Sequence, residues 1–572
     1  MKNTQIAKVF QNIADLLEIK ADDRFKIRAY ERVAQAIEHS PREIESMLAE
    51  GESLRDIPGV GDAIEKKIIE LATTGKLEYF EKLKADFSPG IIGLLDIPGI
   101  GPKTAQVLIS QLGINSIDDL ESAIKNGDVA KLPHIGEKKV EAILHGIETL
   151  RHKDRRIPIG NALPIIDDIL GTLQKLPGVK NLTAAGSVRR FAETVGDIDL
   201  MGTADDPETA IKVFVSLPQV KEILGQGPTK ASVILNGGLQ ADLRIVEHDA
   251  FGSLLQHFTG SKQHNIDLRQ YALKKGLSLS EYGITDINTG TIEKFTTEES
   301  FYARLGLQYI QPEIREGGNE ILLAEKKALP RLITGNDVRG DLHVHTDWSD
   351  GSESLEAIVS SARKLGYSYI AITDHSAGLG IEHGLDEGRI KKQMQEIRKL
   401  NEQSADMHIF SGIEVNIKAD GSLDLPDKML AQLDIVIAAI HSAMHQDTDT
   451  ITGRMIKAIE NPHVDIIAHP TCRLIGEREP VAIDMETLFQ AAARHRKILE
   501  INCTPSRLDL KDSHVYRARE IGVMIALGTD SHRSEQLNYM RFGVAVARRG
   551  WCQAKDVLNT RSLNDIFAYL KG

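Results

Sequence analysis

The sequence Gly186-Ser187-Val188-Arg189-Arg190, followed by Gly196-Asp197-Ile198-Asp199, decides the fold of the central part of this chain. The first stretch predicts a turn that presents a hydroxyl, backbone N–H groups and two guanidiniums together. The second predicts a strand, and since side chains alternate along a strand, Asp197 and Asp199 would share one face about 6–7 Å apart. Two carboxylates at that spacing can bridge divalent ions about 3.5–4 Å apart. The two motifs together suit a triphosphate and its cations.

A third carboxylate is predicted on a hairpin further along the chain. The apolar stretches 233–235 and 239–246 flank Asn236-Gly237-Gly238, which is typical of a tight turn between strands. On the second strand alternate apolar residues would face the core, and Asp242 would lie on the opposite face with Arg244. Asp242 is therefore the natural third member of the group. The alternative is a surface ion pair with Arg244, and an isolated Asp-x-Asp is itself often only solvated charge.

The order of these motifs resembles the nucleotidyltransferase palm of the X-family DNA polymerases. The resemblance continues in Phe258-Thr259-Gly260-Ser261 and in Ser280-Glu281-Tyr282-Gly283. It implies that Asp197, Asp199 and Asp242 are catalytic and hold Mg²⁺ or Mn²⁺. It also implies contacts with an incoming dNTP from Gly186, Ser187, Arg190, Gly196, Phe258, Gly260, Asn265 and Arg269. His257 stands where the family often has Tyr, which leaves the exclusion of ribonucleotides open.

Composition limits the class of protein. A chain of 572 residues with 41% hydrophobic and 26% charged residues is typical of a soluble protein with roughly three to five domains. No apolar run reaches the ~20 residues that cross a bilayer, and residues 1–10 lack the apolar core of a signal peptide, so we expect a cytoplasmic protein without membrane contact. Cys472, Cys503 and Cys552 are too few and too scattered for a disulfide framework or a Cys-rich zinc site.

The formal net charge of −13, taken alone, argues against nucleic acid, because phosphate binding usually requires a basic patch. Two effects weaken that objection. Carboxylates that bind metal ions inflate the acidic count, and backbone N–H groups at helix N-termini bind phosphates without adding charge. DNA therefore remains a candidate partner, with an affinity that depends strongly on salt and divalent cations.

Three related turns in the N-terminal region predict contacts with a DNA backbone. Ile57-Pro58-Gly59-Val60-Gly61 recurs as Ile97-Pro98-Gly99-Ile100-Gly101 and, less perfectly, as Leu132-Pro133-His134-Ile135-Gly136. Glycines in such a turn between helices let a phosphate approach the backbone. These are helix-hairpin-helix motifs, and the resemblance to the X-family polymerases implies binding of gapped or primer-template DNA through Gly59, Gly61, Gly99 and Gly101. One Pro-Gly-x-Gly alone would be an ordinary turn, and the third copy, in which His134 replaces a glycine, can equally serve packing alone.

The first segment also resembles the small N-terminal domain of the repair members of that family, through Phe25-Lys26-Ile27-Arg28-Ala29-Tyr30. Those members open abasic sugars with a lysine that forms a Schiff base, and alignment on the first hairpin places that lysine at Lys67. An amine nucleophile needs a lowered pKa, from burial or from a neighbouring cation such as Lys66. Two successive lysines on a helix are more often simply solvated. Abasic-site lyase activity is therefore a hypothesis, and an endonuclease activity at such sites is left open.

A second pattern begins at Asp341-Leu342-His343-Val344-His345, where alternation puts both histidines on one face of a strand. Further polar residues follow one apolar run after another, at Asp374-His375, Glu414, His441, His469, Asp530 and His532. Helical stretches at 353–364, 387–400 and 485–495 separate these runs. Ligands at the C-terminal ends of strands that alternate with helices are the layout of a (β/α) barrel and its catalytic face. The set is too rich for one tetrahedral zinc and indicates two or three divalent ions, bound by imidazole and carboxylate without thiolate.

The order and local sequence of these residues resemble the PHP (polymerase and histidinol phosphatase) domain. The resemblance implies nine ligands: His343, His345, Asp350, His375, Glu414, His441, His469, Asp530 and His532. In the family's pattern, His343, His345, Glu414 and Asp530 hold one ion, Glu414 with His441 and His469 a second, and Asp350, His375 and His532 a third. Asp347 is an alternative to Asp350, because that position varies with loop length. The expected ions are Mn²⁺ or Zn²⁺, and clustered ions imply phosphoester hydrolysis.

The motifs together predict a multidomain protein with helical helix-hairpin-helix domains at the N-terminus, an α+β nucleotidyltransferase palm and a C-terminal distorted (β/α)7 PHP barrel. The expected divisions are 1–86 and 87–155 (helical, DNA-binding), 156–246 (palm), 247–316 (nucleotide-binding), 317–338 (linker) and 339–572 (barrel).

The predicted function is the addition of dNTPs to a primer 3′ end in gapped DNA during repair. The barrel would act as a 3′→5′ exonuclease or 3′-end phosphodiesterase, and we expect a monomer. Three alternatives remain at this stage: a nucleotidyltransferase for RNA or small molecules, a barrel that hydrolyses a small phosphate monoester, and a barrel that is only a structural platform for DNA.

Overall fold

The structure is a computed structural model. It describes residues 3–571 except 39–43, 50–52, 58, 88–89, 98–99, 133–134, 137–138, 142, 145, 148–155, 380–382 and 404–405. The chain forms two compact units. The first comprises Met1–Arg156, Leu173–Leu182 and Gly196–Val246, and the second Ile157–Thr172, Thr183–Val195 and Glu247–Gly572.

The first unit begins with short helices that share one core. Its helices in this region span Asn3–Ile19, Arg24–Glu38, Ile44–Ala49, Asp62–Thr74, Glu78–Ala85, Ile91–Leu95, Pro102–Leu112 and Ile117–Lys125. Ile6, Phe10 and Ile13 recur at helical spacing in the first helix, and all three are fully buried. They belong to an apolar cluster that continues as far as Ile147. The apolar periodicity of the sequence therefore forms the core.

The three predicted hairpin turns are closed by the same backbone hydrogen bond. Val60 donates to Ile57 at 3.1 Å, Ile100 to Ile97 at 3.0 Å, and Ile135 to Leu132 at 3.2 Å. The third turn thus closes like the first two, although its sequence departs from theirs.

Glycines stand where two of these turns meet the following helix. Gly61 and Gly101 each immediately precede a helix, at Asp62–Thr74 and Pro102–Leu112. Gly59 has a φ of +90°, which other residues rarely adopt. The predicted contact residue Gly99 lies outside the described residues, as do Pro58, Pro98, Pro133 and His134.

A five-stranded sheet forms the rest of the first unit. Its strands lie side by side in the order Val179–Ala184, Asp197–Ala204, Gln240–Val246, Lys230–Leu235 and Val220–Gln226, and helix Pro207–Val215 connects two of them. The predicted hairpin is present, because Lys230–Leu235 and Gln240–Val246 pair antiparallel. The strand that carries Asp-x-Asp runs parallel to Gln240–Val246. The sheet therefore brings the first two predicted carboxylates beside the strand of the third.

The second unit contains a helical and antiparallel region before the barrel. Its helices span Ile159–Leu173, Gly186–Arg189, Phe251–Thr259, Lys262–Leu273, Glu298–Arg304 and Glu320–Glu325, and its strands Ile157–Pro158, Thr194–Val195, Leu277–Ser280, Gly283–Asp286 and Ile292–Glu293. The last three strands form an antiparallel sheet. Phe301 and Tyr302 lie in the apolar core of this region.

A fully buried arginine joins the parts of this region. The Arg315 guanidinium lies 2.6 Å from Glu298 and donates twice to the carbonyl of Ile310, at 2.9 and 2.7 Å. Glu298, 3% exposed, also pairs with Arg189 at 2.6 Å. Buried charges are tolerated only when each is paired and hydrogen-bonded. This triad therefore connects the Gly-Ser turn to the end of the nucleotide-binding region.

The C-terminal part of the second unit is a seven-stranded parallel barrel. In sheet order, which is also chain order, its strands span Gly340–Val344, Tyr369–Ile372, His408–Asn416, Ile435–Ala439, Ile466–Ile467, Ile498–Asn502 and Ile525–Gly528. The helices span Leu355–Lys364, Glu387–Glu402, Asp427–Leu430, Thr448–Glu460, Met485–Arg494, Asp512–Ile521, Met540–Arg549 and Leu563–Lys571. The first and last strands meet where Asp530 donates to His343 at 2.9 Å and His345 to Ser531 at 2.8 Å. The predicted distorted (β/α)7 barrel is confirmed.

The segment 317–338, predicted as a linker, is packed against its neighbours. It contains helix Glu320–Glu325. Glu320 is buried and accepts from His264 at 2.8 Å, and Leu332 joins the core around Phe301. The composition of this segment is polar and glycine-rich, and it does not indicate that the few apolar residues pack into a core.

Two expectations from composition bear on the described residues. None of the described helices has the length and apolar character needed to cross a bilayer. Cys472, Cys503 and Cys552 are buried free thiols.

We expect Glu298→Gln to destabilise the second unit by about 3–5 kcal/mol, because Arg315 would keep a buried charge without its counterion. The effect depends on pH. Burial raises the pKa of Glu298, but Arg315 and Arg189 outweigh burial and lower the pKa from 4.5 to about 2. The pair's contribution is therefore complete above about pH 4.5 and is lost as the pH falls towards 2, so the deficit of the variant should shrink over that range.

Urea unfolding followed by tryptophan fluorescence measures this effect, because Trp348 and Trp551 both lie in the second unit. The control is Glu293→Gln, whose partner Arg304 lies 2.7 Å away on the surface. That change should cost no more than about 1 kcal/mol. Equal shifts for the two variants would contradict the buried-triad interpretation.

Candidate active sites

Three carboxylates share one face of the sheet in the first unit. Asp197 and Asp199 lie two residues apart on one strand, and the register places Asp199 directly beside Asp242 on the parallel strand. Gln240 donates to Asp242 at 2.8 Å, and the Ser232 hydroxyl also donates to it. Asp197 is exposed, and the other two are half-buried. The face is therefore open to hydrated divalent ions.

The Gly-Ser turn in the second unit presents a buried hydroxyl. Gly186 has a φ of +56° and begins the single helical turn Gly186–Arg189. The Ser187 hydroxyl is buried and has no hydrogen-bond partner within the described part of the chain. Buried polar groups in proteins are normally satisfied. A ligand oxygen, such as that of a phosphate, fits this position.

Arg190 follows the turn and reaches the Phe258-Thr259-Gly260 segment. Its guanidinium donates to the carbonyl of Thr259 and lies 3.2 Å from Glu316. A Cβ at Gly260 would lie 3.2 Å from this guanidinium, and Gly260 has a φ of +65°, so only glycine fits without strain. The structure thus brings Arg190 and the predicted Gly260 together.

The remaining residues predicted to contact dNTP have varied surroundings. Asn265 donates to the carbonyl of His257 at 2.7 Å and accepts from Gln256 at 3.0 Å, so its amide is engaged within the protein. Phe258 is half-buried, and Arg269 is exposed on helix Lys262–Leu273. Gly196 lies in the first unit, where a Cβ would approach Arg156 to 3.0 Å.

Lys67 lies over two aromatic rings. Its amine is 4.9 Å from the ring centre of Tyr79 and 5.9 Å from that of Tyr30. Burial lowers the pKa of Lys67, and Lys26 lowers it further. The side chain is therefore not simply solvated, which was the alternative for this lysine.

The barrel surrounds one fully buried carboxylate with imidazoles. Glu414 lies 3.1 Å from a ring nitrogen of His375, of His441 and of His469, 3.3 Å from His343 and 3.4 Å from His345. Burial raises the pKa of Glu414, but His375, His441 and His343 outweigh it and hold the pKa well below its usual range. Glu414 is the centre of the predicted cluster.

The other predicted ligands complete the cluster around Glu414. Three groups have ligand atoms within 4.8 Å of one another: His345, Asp350, His375 and His532; His343, His345 and Asp530; and His375, Glu414 and His441. Asp350 lies 3.2 Å from His532. The alternative residue Asp347 does not appear in these groups of described residues. His345 and His375 each belong to two groups, whereas the family's pattern assigns each of them to one ion.

The donors in the barrel fit divalent cations. Nδ1 of His345, His441 and His469 is buried without a hydrogen-bond partner among the residues that the structure describes, and Nδ1 of His375 lies 3.1 Å from Oε2 of Glu414. Nε2 of His343 and Nε2 of His345 lie only 3.1 Å apart. Such crowding of lone pairs is typical of metal ligands. Imidazole with carboxylate suits Zn²⁺ or Mn²⁺.

Sequence reasoning missed Glu500, which supports two of these ligands. The carboxylate lies 2.6 Å from Nδ1 of His343 and accepts from the backbone of His469 at 2.8 Å. Glu500 lies on strand Ile498–Asn502, the one barrel strand at which no ligand was predicted. Glu500 and Asn502 are polar residues in an otherwise apolar strand, and this pattern could have located Glu500 from the sequence. A carboxylate on Nδ1 fixes the tautomer that leaves Nε2 free for a metal.

Two further residues hold the predicted ligands in place. Sequence reasoning missed Asn502 and noted Asp374 only as the neighbour of His375. Asn502 donates to Asp530 at 3.0 Å. Asp374, beside the predicted ligand His375, instead accepts from Thr346, Ser349 and Gln393. Asp374 therefore organises the loop that carries Asp350.

Comparison with known proteins gives four domain matches. A helix-hairpin-helix domain matches residues 1–77, a SAM-like helix-hairpin-helix tandem 91–149, the DNA polymerase beta thumb 254–316, and the PHP domain 341–504. The DNA polymerase/3′-5′ exonuclease PolX of Bacillus subtilis (strain 168) is 39% identical over 573 residues, which cover 100% of both chains. This chain belongs to the bacterial PolX family. The predicted resemblance to X-family polymerases with a PHP domain is confirmed.

Other relatives of this PolX-family chain match only part of it. A probable phosphatase of Thermoanaerobacter sp. (strain X514) is 35% identical over 40% of this chain and 94% of its own length. A probable phosphatase of Escherichia coli O81 (strain ED1a), YcdX, is 33% identical over 34% of this chain and 78% of its own. The full-length match distinguishes the PolX family from these shorter proteins.

We expect Glu500→Gln to weaken the binding of divalent ions in the barrel by about 10–100-fold, because His343 would lose the carboxylate that orients it. The ion content after dialysis, from elemental analysis, and a calorimetric titration with Mn²⁺ measure the effect. Glu486→Gln is the matched control, since Glu486 pairs with Arg517 at 2.8 Å, outside the imidazole cluster. Unchanged Mn²⁺ affinity in the Glu500 variant would contradict this role.

Proposed function

We infer that this PolX-family chain is a DNA polymerase that also degrades DNA in the 3′→5′ direction. The observation that carries this conclusion is the match over the whole chain to a relative named for both activities. DNA and nucleotides are the substrates. Divalent ions, held by the palm carboxylates for one reaction and by the barrel imidazoles and carboxylates for the other, would supply Lewis-acid chemistry to both.

We assign the polymerase reaction to the motifs of the palm and the Gly-Ser turn. Asp197, Asp199 and Asp242 would hold Mg²⁺ or Mn²⁺, and their shared open face supports this role. Ser187 and Arg190 would bind the triphosphate. The buried unpartnered hydroxyl of Ser187 supports that assignment. Gly186, Gly196, Phe258, Gly260, Asn265 and Arg269 complete the proposed nucleotide contacts.

We assign the degradation of 3′ ends to the barrel. The nine residues His343, His345, Asp350, His375, Glu414, His441, His469, Asp530 and His532 would hold two or three ions, Mn²⁺ or Zn²⁺. The crowding of imidazoles around the buried Glu414 supports this proposal. A barrel that served only as a platform would not require unpartnered buried ring nitrogens.

The proposed DNA substrate is gapped or primer-template DNA, bound through Gly59, Gly61, Gly99 and Gly101. Helix N-termini after the first two turns offer backbone N–H groups to phosphates without a net positive charge. This accounts for DNA binding by a chain with a formal net charge of −13. We propose that the protein acts as a monomer in the cytoplasm during repair.

Two substitutions should separate the activities. Asp197→Ala should abolish primer extension on gapped DNA, because it removes a carboxylate of the palm. It should leave Mn²⁺-dependent 3′ degradation intact, because the barrel ligands are unchanged. His343→Ala should do the reverse, because it removes an imidazole of the barrel cluster. Labelled primers resolved on denaturing gels measure both reactions.

The full chain carrying both changes should be inactive in both assays. Degradation that survived His343→Ala would refute the assignment to the barrel. Extension that survived Asp197→Ala would refute the assignment to the palm. Release of phosphate from a small monoester, lost in His343→Ala, would instead favour the phosphatase alternative if DNA ends were left untouched.

Abasic-site lyase activity at Lys67 is a second candidate function. The amine lies over Tyr79 and Tyr30, and its pKa is lowered by burial and by Lys26. A larger neutral fraction makes an amine a better nucleophile for a sugar aldehyde. Through Lys67 the chain would open abasic sites by a Schiff base.

Borohydride should trap the wild-type chain on an abasic oligonucleotide, since it reduces the Schiff base to a stable link. Lys67→Ala should not be trapped, whereas Lys66→Ala should be trapped like the wild type. Electrophoresis of the labelled oligonucleotide detects the link. Equal trapping of the Lys67 variant and the wild type would dispose of the hypothesis.

A further inference from the structure

Among the described residues, the barrel domain contacts segment 190–193, at the end of the Gly-Ser turn, at three points within the second unit. Phe191 packs edge-to-face on Phe542, with ring centres 5.6 Å apart. Glu193 pairs with Arg473 at 2.8 Å. Arg549 donates to the backbone carbonyl of Arg190 at 2.8 Å. The barrel therefore holds the segment that carries the proposed triphosphate ligands.

Arg549 also reaches the Arg190 side chain through a shared carboxylate. One oxygen of Glu316 lies 2.8 Å from the Arg549 guanidinium and 3.2 Å from that of Arg190. Asp512 holds the other side of Arg549 at 2.7 Å. Arg549 and Arg190 are largely buried, with side chains 12% and 15% exposed. The two guanidiniums thus share the Glu316 carboxylate, and Arg549 has Asp512 as a second anion.

This arrangement has a consequence for anion binding. A carboxylate that pairs fully with Arg190 would compete with a phosphate for the same guanidinium, since both are preferred partners of arginine. The shorter contact of Glu316 is with Arg549. Loss of Arg549 would leave Arg190 as the only one of the two cations on Glu316, and would also remove the donor that fixes the Arg190 backbone.

We propose that Arg549, a residue of the PHP barrel, is a positioning residue for nucleotide binding in the polymerase reaction. It holds Glu316 away from full pairing with Arg190 and anchors the Arg190 backbone, so that the Arg190 guanidinium stays available to the triphosphate. The proposal rests on the proposed role of Arg190. It assigns the barrel a part in polymerisation besides its own hydrolytic site.

Steady-state primer extension by the full chain, with Mg²⁺ and varied dNTP, tests the proposal. Arg549→Met should raise the KM for dNTP about tenfold or more, the size expected for a charge-assisted hydrogen bond, while kcat changes less. Mn²⁺-dependent 3′ degradation should persist and reports that the barrel is folded. Arg549→Lys keeps the charge and should fall between Arg549→Met and the wild type.

Arg548→Met is the matched control. Arg548 is the neighbouring residue on the same helix, but it pairs with Glu313 at 2.7 Å instead of Glu316. This variant should keep the wild-type KM. Glu316→Gln, alone, should leave the KM unchanged or lower it, and combined with Arg549→Met it should recover most of the lost affinity.

The outcomes separate the inference from the function on which it rests. An unchanged KM in Arg190→Met would refute the role of Arg190 and the inference with it. A raised KM in Arg190→Met but not in Arg549→Met would refute the inference alone. Equal effects of the Arg548 and Arg549 changes, a fall in kcat without a rise in KM, or a raised KM in Glu316→Gln would also overturn it.

Discussion

Burying a carboxylate is unfavourable unless opposite charges or hydrogen bonds compensate it, and this constraint organises the second unit. Glu298 is compensated by two arginines, and Glu414 by imidazoles that follow different barrel strands. Glu500 is compensated by His343. Arg189 lies 109 positions from Glu298, and His343 lies 157 positions from Glu500. The same pairs that keep these charges inside the protein also fix the positions of the groups on which chemistry depends.

Much of both sites could be predicted because side-chain direction in a strand is a local property. Alternation alone placed Asp197 and Asp199 on one face of their strand and Asp242 on the polar face of its own, and the register of the sheet sets Asp199 beside Asp242. The ends of parallel strands meet at one edge of a barrel, so the ligands after each apolar run were expected to converge. Glu500 could not be predicted in this way. Its strand is buried throughout, and its partner His343 is 157 positions away.

The segment 317–338 and the Glu316 contacts show where sequence reasoning fails. Charged residues and glycines there are typical of a linker, because local composition does not reveal which partners the tertiary structure supplies. Arg315 gave no local sign that it would be fully buried against Glu298. Likewise nothing in the sequence around Arg549 indicates a contact with Glu316, 233 positions away. Long-range ion pairs of this kind are visible only in the fold.

The contacts of Phe191 and Glu193 with the barrel bear on how such a chain can diversify. A gene fusion that exchanged the C-terminal half for a foreign barrel would keep every palm motif. It would, however, remove the aromatic contact of Phe191 and the ion pair of Glu193 beside the Gly-Ser turn. Domains that look like separable modules along the sequence are thus not interchangeable parts. Successful chimaeras would have to carry Phe542 and Arg473, or substitutes of matching shape and charge, along with the graft.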